Sequence, residues 1–131
     1  MGMLDGVKAI EVGQALAGPY TGMILADLGA DVIKIEKPDG GDDARLWGPP
    51  FTDGYSHVFR AFNRNKRSVV LDLKQAGDVA LLKRLAADAD IFIQNLRPGV
   101  ADDIGIGAGA MQAVNPALIY CNISAFGRTG P

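Results

Sequence analysis

Three basic residues, Lys37, Lys74 and Arg97, each fall at or just past the end of an apolar, β-rich run of this sequence. Lysine and arginine so placed can hold phosphate or carboxylate groups through charge-assisted hydrogen bonds, the stronger kind. If the three runs are parallel strands of one sheet, their carboxyl ends share an edge, where open α/β sheets bind ligands. From these residues alone the plainer alternative, that the cations decorate solvated loops, stays open. The run that ends in Glu36-Lys37 meets Pro38, which cannot donate to a strand ladder and must stop it. Gly40-Gly41-Asp42-Asp43 then reads as a turn, and Trp47 to Phe51, with Pro49 and Pro50 inside, as an apolar knot.

Other chemistries lack their residues. Gly13 and Gly18 have P-loop spacing, but Pro19-Tyr20 stands where a lysine and a hydroxyl residue are needed. The same turn has no G-x-G-x-x-G, although Glu36 lies where a ribose-binding acid belongs, which keeps a nicotinamide-dinucleotide oxidoreductase as an alternative. With one histidine, one cysteine and neither HExxH nor CxxC, no metal site is expected. His57 reads as a surface or loop residue and Cys121, inside LIYCNIS, as core. A single cysteine permits no disulfide framework, which favours a reducing, cytoplasmic setting. The net charge of −2 suggests no nucleic-acid face and no anionic membrane partner. No signal-like start and no run of membrane-spanning length is present. At 131 residues, 48% of them apolar, the chain is one domain or part of one.

The elements that must position these residues alternate. Strands are expected over 7–12, 31–36, 68–73, 90–94 and 118–123. Helices are expected over 19–28, opened by Pro19 and closed by Gly29, and over 76–87, with Val79, Leu82, Leu85 and Ala86 on its buried side. A short helical turn fits 56–62, residues 63–67 read as a polar turn, and weakly helical sequence runs to Val114 before Asn115-Pro116. Strands separated by helices make an α/β fold: an open, mainly parallel, Rossmann-like sheet with flanking helices.

Several motifs, in order and over nearly the whole length, resemble those of the family III CoA-transferases. They are Ala17-Gly18-Pro19, the run from Leu25-Ala26-Asp27 through Ile35-Glu36, and Gly41-Asp42. Further on come Asn63-Arg64-Asn65-Lys66-Arg67-Ser68, Leu71-Asp72-Leu73-Lys74, Asn95-Leu96-Arg97-Pro98-Gly99-Val100 and Phe126-Gly127-Arg128-Thr129-Gly130-Pro131. The group includes formyl-CoA and carnitine CoA-transferases and the α-methylacyl-CoA racemases; the racemase activity is the nearest alternative.

The resemblance implies transfer of CoA between an acyl-CoA and a free carboxylic acid, with CoA as a substrate and no tightly bound cofactor. It places Leu16 and Ala17 in the first turn, Lys37 after the second strand, and Leu71, Asp72, Leu73 and Lys74 along the CoA. Asn95, Leu96 and Arg97 close the other side. Lys37 stands where an arginine is common, Leu16 where formyl-CoA transferase has glutamine, and Asp103 at a basic position. The family's nucleophile is an aspartate that carries CoA as an aspartyl thioester, and its place lies beyond residue 131. Residues 1–131 would thus be the CoA-binding amino-terminal part of a larger fold, an interlocked homodimer, and a non-catalytic CoA-binding module if they act alone. Should a nucleophile lie within them, Asp42, in the loop beside the expected edge, is the first candidate.

Overall fold

In the computed structural model, which describes residues 1–127 and 129, five strands form one sheet in the order β5-β2-β1-β6-β7, every neighbouring pair parallel. Arg128, Gly130 and Pro131, and with them part of the closing Phe-Gly-Arg-Thr-Gly-Pro motif, lie outside the described residues. β1 is Lys8–Val12, β2 Asp31–Glu36, β5 Lys66–Val70, β6 Ile91–Gln94 and β7 Ile119–Asn122. Helix α1 (Ala17–Asp27) connects β1 to β2, and α3 (Ala76–Ala87) connects β5 to β6. Two short helices, α4 (Val100–Asp103) and α5 (Ala108–Val114), precede β7. Strand order runs outward one way from β1 to β5 and the other way from β6 to β7, so it reverses between β1 and β6. That is the switch point of a doubly wound sheet, the Rossmann-like arrangement expected from the alternating pattern.

The two faces of the sheet differ in kind. Ile10, Val12, Ile35 and Phe92 pack with Leu82 and Ala86 of α3 and with Ile106 and Met111 around α5, a buried apolar layer. The face beneath α1 holds a smaller apolar cluster of Ala9, Val32, Ala26 and Ala30. Because side chains alternate along a strand, Glu11, Lys34 and Glu36 share the face of Ala9 and Val32. They are buried there. Gly22 is where α1 crosses them: a Cβ at this position would overlap Glu11 Oε2. Gly22→Ala is therefore expected to lower stability by about 1–3 kcal/mol through overpacking. A urea midpoint equal to that of the wild type would show that α1 shifts freely instead.

Two expectations need correction. The third strand is Lys66–Val70 rather than 68–73, and residues 66 and 67 belong to it, not to the polar turn before it. Its register against β2 runs from Val32 opposite Lys66 to Glu36 opposite Val70. Leu71 N makes one more bond, to Glu36 O at 2.9 Å; the ladder ends there, because Pro38 has no N–H to continue it, and Asp72 N turns instead to Asp78 Oδ2 at 2.7 Å. The Trp47–Phe51 stretch lies at the surface, with Trp47 41% and Phe51 47% exposed and the Phe51 ring packed closely against Gly48. It leads into a small antiparallel hairpin, β3 (Phe51–Thr52) and β4 (Tyr55–Ser56), turned by Asp53-Gly54, both with positive φ. Asp-Gly flanked by aromatic residues was the signal for that turn. Finally, Cys121 is half-buried rather than core, because β7 is an edge strand.

The helical turn expected near 56–62 is α2 (His57–Asn63), with the Ser56 hydroxyl accepting from Phe59 N. His57 is exposed at its start, its Nε2 2.7 Å from Thr52 Oγ1. Among the described residues no helix is long and apolar enough to cross a membrane, and no cluster of three or more His, Cys, Asp or Glu is placed to hold a metal ion.

Candidate functional site

Two cavities open along the carboxyl edge of the sheet, on either side of the loop that joins β1 to α1. The larger, of about 440 Å³, is lined by Ala17, Asn95, Leu96, Arg97, Pro98 and the segment 123–127 after β7. The smaller, of about 260 Å³, is lined by Val12, Gly13 and Gln14, by Ile35, Glu36 and Lys37, by Leu71, Asp72, Leu73 and Lys74, and by Leu96, Val100 and Ile104. Leu96 lines both. A more open hollow continues from Lys74 and Leu73 past Lys83 and Asp103 toward Gly105.

Nine of the ten residues expected at this edge line one or other of the two cavities; Leu16, half-exposed at the start of α1, lines neither. The three cations do not meet at a single point. Lys37 and Lys74 border the smaller cavity and Arg97 the larger, so they flank the edge in sequence along its length. Lys37 is already ion-paired with Asp43, whereas Lys74 and Arg97 have exposed side chains with no ion-pair partner among the described residues.

Two of the other expected residues are engaged by the backbone. Asp72 Oδ1 accepts from Lys74 N at 3.1 Å and shapes the turn ahead of α3. Asn95 grips the opposite loop from both sides: its Oδ1 accepts from Gln14 N at 3.0 Å and its Nδ2 donates to Gln14 O at 2.9 Å. Gly13 and Gly18 both pack against this amide, and a Cβ on Gly18 would come within 2.9 Å of its Oδ1.

Beneath the loop lies a network of charges that the reading of motifs missed. Lys34 Nζ, wholly buried, donates to Glu11 Oε1 at 2.8 Å and to Gly13 O at 2.9 Å, and lies 2.9 Å from Asp42 Oδ2. The other oxygen of Glu11 is 2.6 Å from Lys66 Nζ, which also donates to Pro19 O at 2.7 Å and Asn63 Oδ1 at 3.0 Å. Burial pushes the Lys66 ammonium below the usual lysine range, and the charge of Glu11 opposes that shift. A second node surrounds Glu36. Arg45 donates to it through Nε and Nη2, both at 2.7 Å; Ser68 Oγ donates at 2.6 Å and Asp42 N at 2.9 Å.

Burial pushes the Glu36 carboxyl up, but these donors, Arg45 foremost, outweigh it and hold the pKa at about 2. The Arg45 guanidinium is itself stacked 3.8 Å from the centroid of the Phe59 ring. The available signal was charge in mid-strand: the apolar alternation of β1 and β2 is broken by Glu11 and Lys34, of opposite sign and in register.

The same network settles the place of two carboxylates. Asp42, only 1% exposed, accepts from Ala15 N at 3.0 Å and Ala44 N at 2.9 Å through Oδ1, and faces Lys34 through Oδ2. It is enclosed and paired, not poised to attack a ligand. Glu36 has both oxygens engaged by protein donors, so it has little left for a ribose.

The sequence profile of CoA-transferase family III matches residues 4–131. The chain belongs to CoA-transferase family III. Among curated relatives, it is 46% identical over 134 residues to a succinate–glutarate CoA-transferase of Agrobacterium fabrum, covering 98% of this chain and 34% of that one. It is 44% identical over 130 residues to an acetyl-CoA:oxalate CoA-transferase of Acetobacter aceti, covering 99% of this chain and 33% of the relative. A crystal structure of a CaiB/BaiF family protein from Brucella suis superposes with a TM-score of 0.93 at 47% identity, over 99% of this chain and 35% of that one. The chain thus spans about a third of the length of the relatives it matches.

Proposed function

We propose that residues 1–131 are the CoA-binding part of an enzyme that transfers CoA between an acyl-CoA thioester and a free carboxylic acid. The observation that carries this reading is the edge itself, in a chain of this family. Two cavities flank the switch point of a parallel sheet, and the unpaired cations Lys74 and Arg97 stand at their borders. A CoA is long, anionic at its nucleotide end and apolar along much of its arm. Lysine and arginine suit the phosphates, and Ala17, Leu96, Pro98 and Ile123 suit the arm. In this reading Leu71 to Lys74 follow the nucleotide, and Asn95 acts by holding the loop wall rather than by touching the ligand.

The chemical step of the reading is covalent catalysis. An aspartate attacks the acyl-CoA carbonyl, forming a mixed anhydride and releasing CoA thiolate. The thiolate then attacks the aspartyl carbonyl, giving an aspartyl-CoA thioester and a free carboxylate; the acceptor acid takes CoA by the reverse sequence. No aspartate of this chain is assigned that role. A homodimer in the cytoplasm belongs to the same proposal. Half-exposed or exposed apolar side chains on both edge strands, Val70 on β5 and Ile119 on β7, are consistent with further protein surface packing there. The nicotinamide alternative is disfavoured by the engagement of Glu36.

Calorimetric titration with CoA and, separately, with NADH tests the assignment. CoA is expected to bind and NADH not. Lys74→Ala and Arg97→Ala should each weaken CoA by about 1–3 kcal/mol, the range for one hydrogen bond to a charged group. Lys37→Ala should cost less, because Asp43 already shares that charge. Absence of CoA binding, or wild-type affinity in all three variants, would remove the reading.

A further inference from the structure

The loop that separates the two cavities does not hold itself. Gly13 and Gln14 line the smaller cavity and Ala17 the larger, and between them Ala15 has φ of +66°, in the left-handed region that an L-residue with a Cβ avoids. A backbone in that region persists only where its surroundings over-determine it. One restraint is the Asn95 clip on Gln14, from the β6 side. The second comes from the β2 side and consists of buried charge. Asp42 Oδ1 accepts from Ala15 N at 3.0 Å. Its Oδ2 lies 2.9 Å from Lys34 Nζ, and Lys34 in turn donates to Gly13 O at 2.9 Å. Carboxylate and ammonium thus grip the loop at two points two residues apart, the N–H of Ala15 and the C=O of Gly13.

Burying such a pair is costly, and an apolar pair of similar volume often stabilises a fold as well or better. Stability alone therefore does not account for charges at this place. We propose that Asp42 is a positioning residue: anchored by Lys34, it fixes the wall between the two cavities and so sets the affinity of this edge for CoA. The proposal rests on the reading of the edge as a CoA site. The competing role, a mere cap for the 3-10 turn Asp43–Leu46 through Ala44 N, involves the same carboxylate but not the loop.

The two roles separate when amide hydrogen exchange and CoA titration are measured on the same variants. In Asp42→Ala the amides of Gln14 and Ala15 should exchange about tenfold faster or more, relative to those of Ile10 and Phe92 in the sheet, and the Kd for CoA should rise by a similar factor. Asp42→Asn keeps an oxygen for Ala15 N–H and should recover much of both losses, though a neutral acceptor is weaker. Leu82→Ala, in the apolar layer on the other face, should loosen the whole fold without a loop-specific change and without altering CoA affinity in the folded protein.

Equal acceleration of loop and sheet amides in Asp42→Ala would overturn the proposal, as would a loosened loop with unchanged CoA affinity. If Asp42→Ala does not fold, the same comparison between Asp42→Asn and the wild type decides, with a smaller expected change. If the wild type itself binds no CoA, the functional assignment fails. The exchange ratio then still decides whether Asp42 positions the loop.

Discussion

Replacing Lys34 by methionine is expected to lower the stability of this protein by about 3–5 kcal/mol, the cost of leaving buried charges without their partner. The side chain of Lys34 is wholly buried and sits between Glu11 and Asp42, two carboxylates equally removed from water. Methionine fills nearly the same volume, so the loss comes from charge rather than from a void. Glu11 would keep Lys66 at 2.6 Å, but Asp42 would keep only backbone donors, and Gly13 O would lose its donor. The double replacement Lys34→Met with Asp42→Asn should recover part of the loss, since it removes a charge of each sign and leaves the Glu11–Lys66 pair intact; the cycle measures their coupling. Urea unfolding at neutral pH reads the effect. A Lys34→Met midpoint within error of the wild type would mean that these charges are not paired as described.

Acid should unfold the protein through Glu36. Its pKa in the fold is about 2 against an ordinary 4.5, so the folded state binds the proton less readily than the unfolded chain. The associated stabilisation is complete above about pH 4.5 and is lost as pH falls through the folded value near 2. The shift corresponds to about 2–3 kcal/mol once the partial exposure of Arg45 is allowed for. Asp27, lowered by its hydrogen bond to Arg64, adds acid sensitivity of the same sign at the surface. Urea midpoints at pH 5 and pH 3 check the assignment: the wild type should lose clearly more between them than Glu36→Gln, which has no proton to gain. Equal losses would place the acid-sensitive group elsewhere.

What the residues determined by themselves is local. The apolar period placed β1, β2, β6 and β7 and both long helices close to their final bounds, because side-chain alternation and helical facing are written in neighbouring positions. Pro38 ended β2, and the glycine and proline positions marked the turns of the carboxyl edge where nine of the ten expected residues line a cavity.

The rest was decided by pairing between distant segments. Lys66 and Arg67 look like turn residues in Asn-Arg-Asn-Lys-Arg, yet they begin β5, because that register sets Lys66 against Glu11 and Arg67 against Asp31. Motif spacing could not show that Lys37 is shared with Asp43 or that Arg97 stands at a different cavity from Lys74. Nor could it show that Asp42 and Glu36 are enclosed structural carboxylates. A charge is buried or exposed according to what lies opposite it, and for Glu11, Lys34, Asp42 and Lys66 the opposing groups come from three different strands and a loop brought together only when the sheet forms.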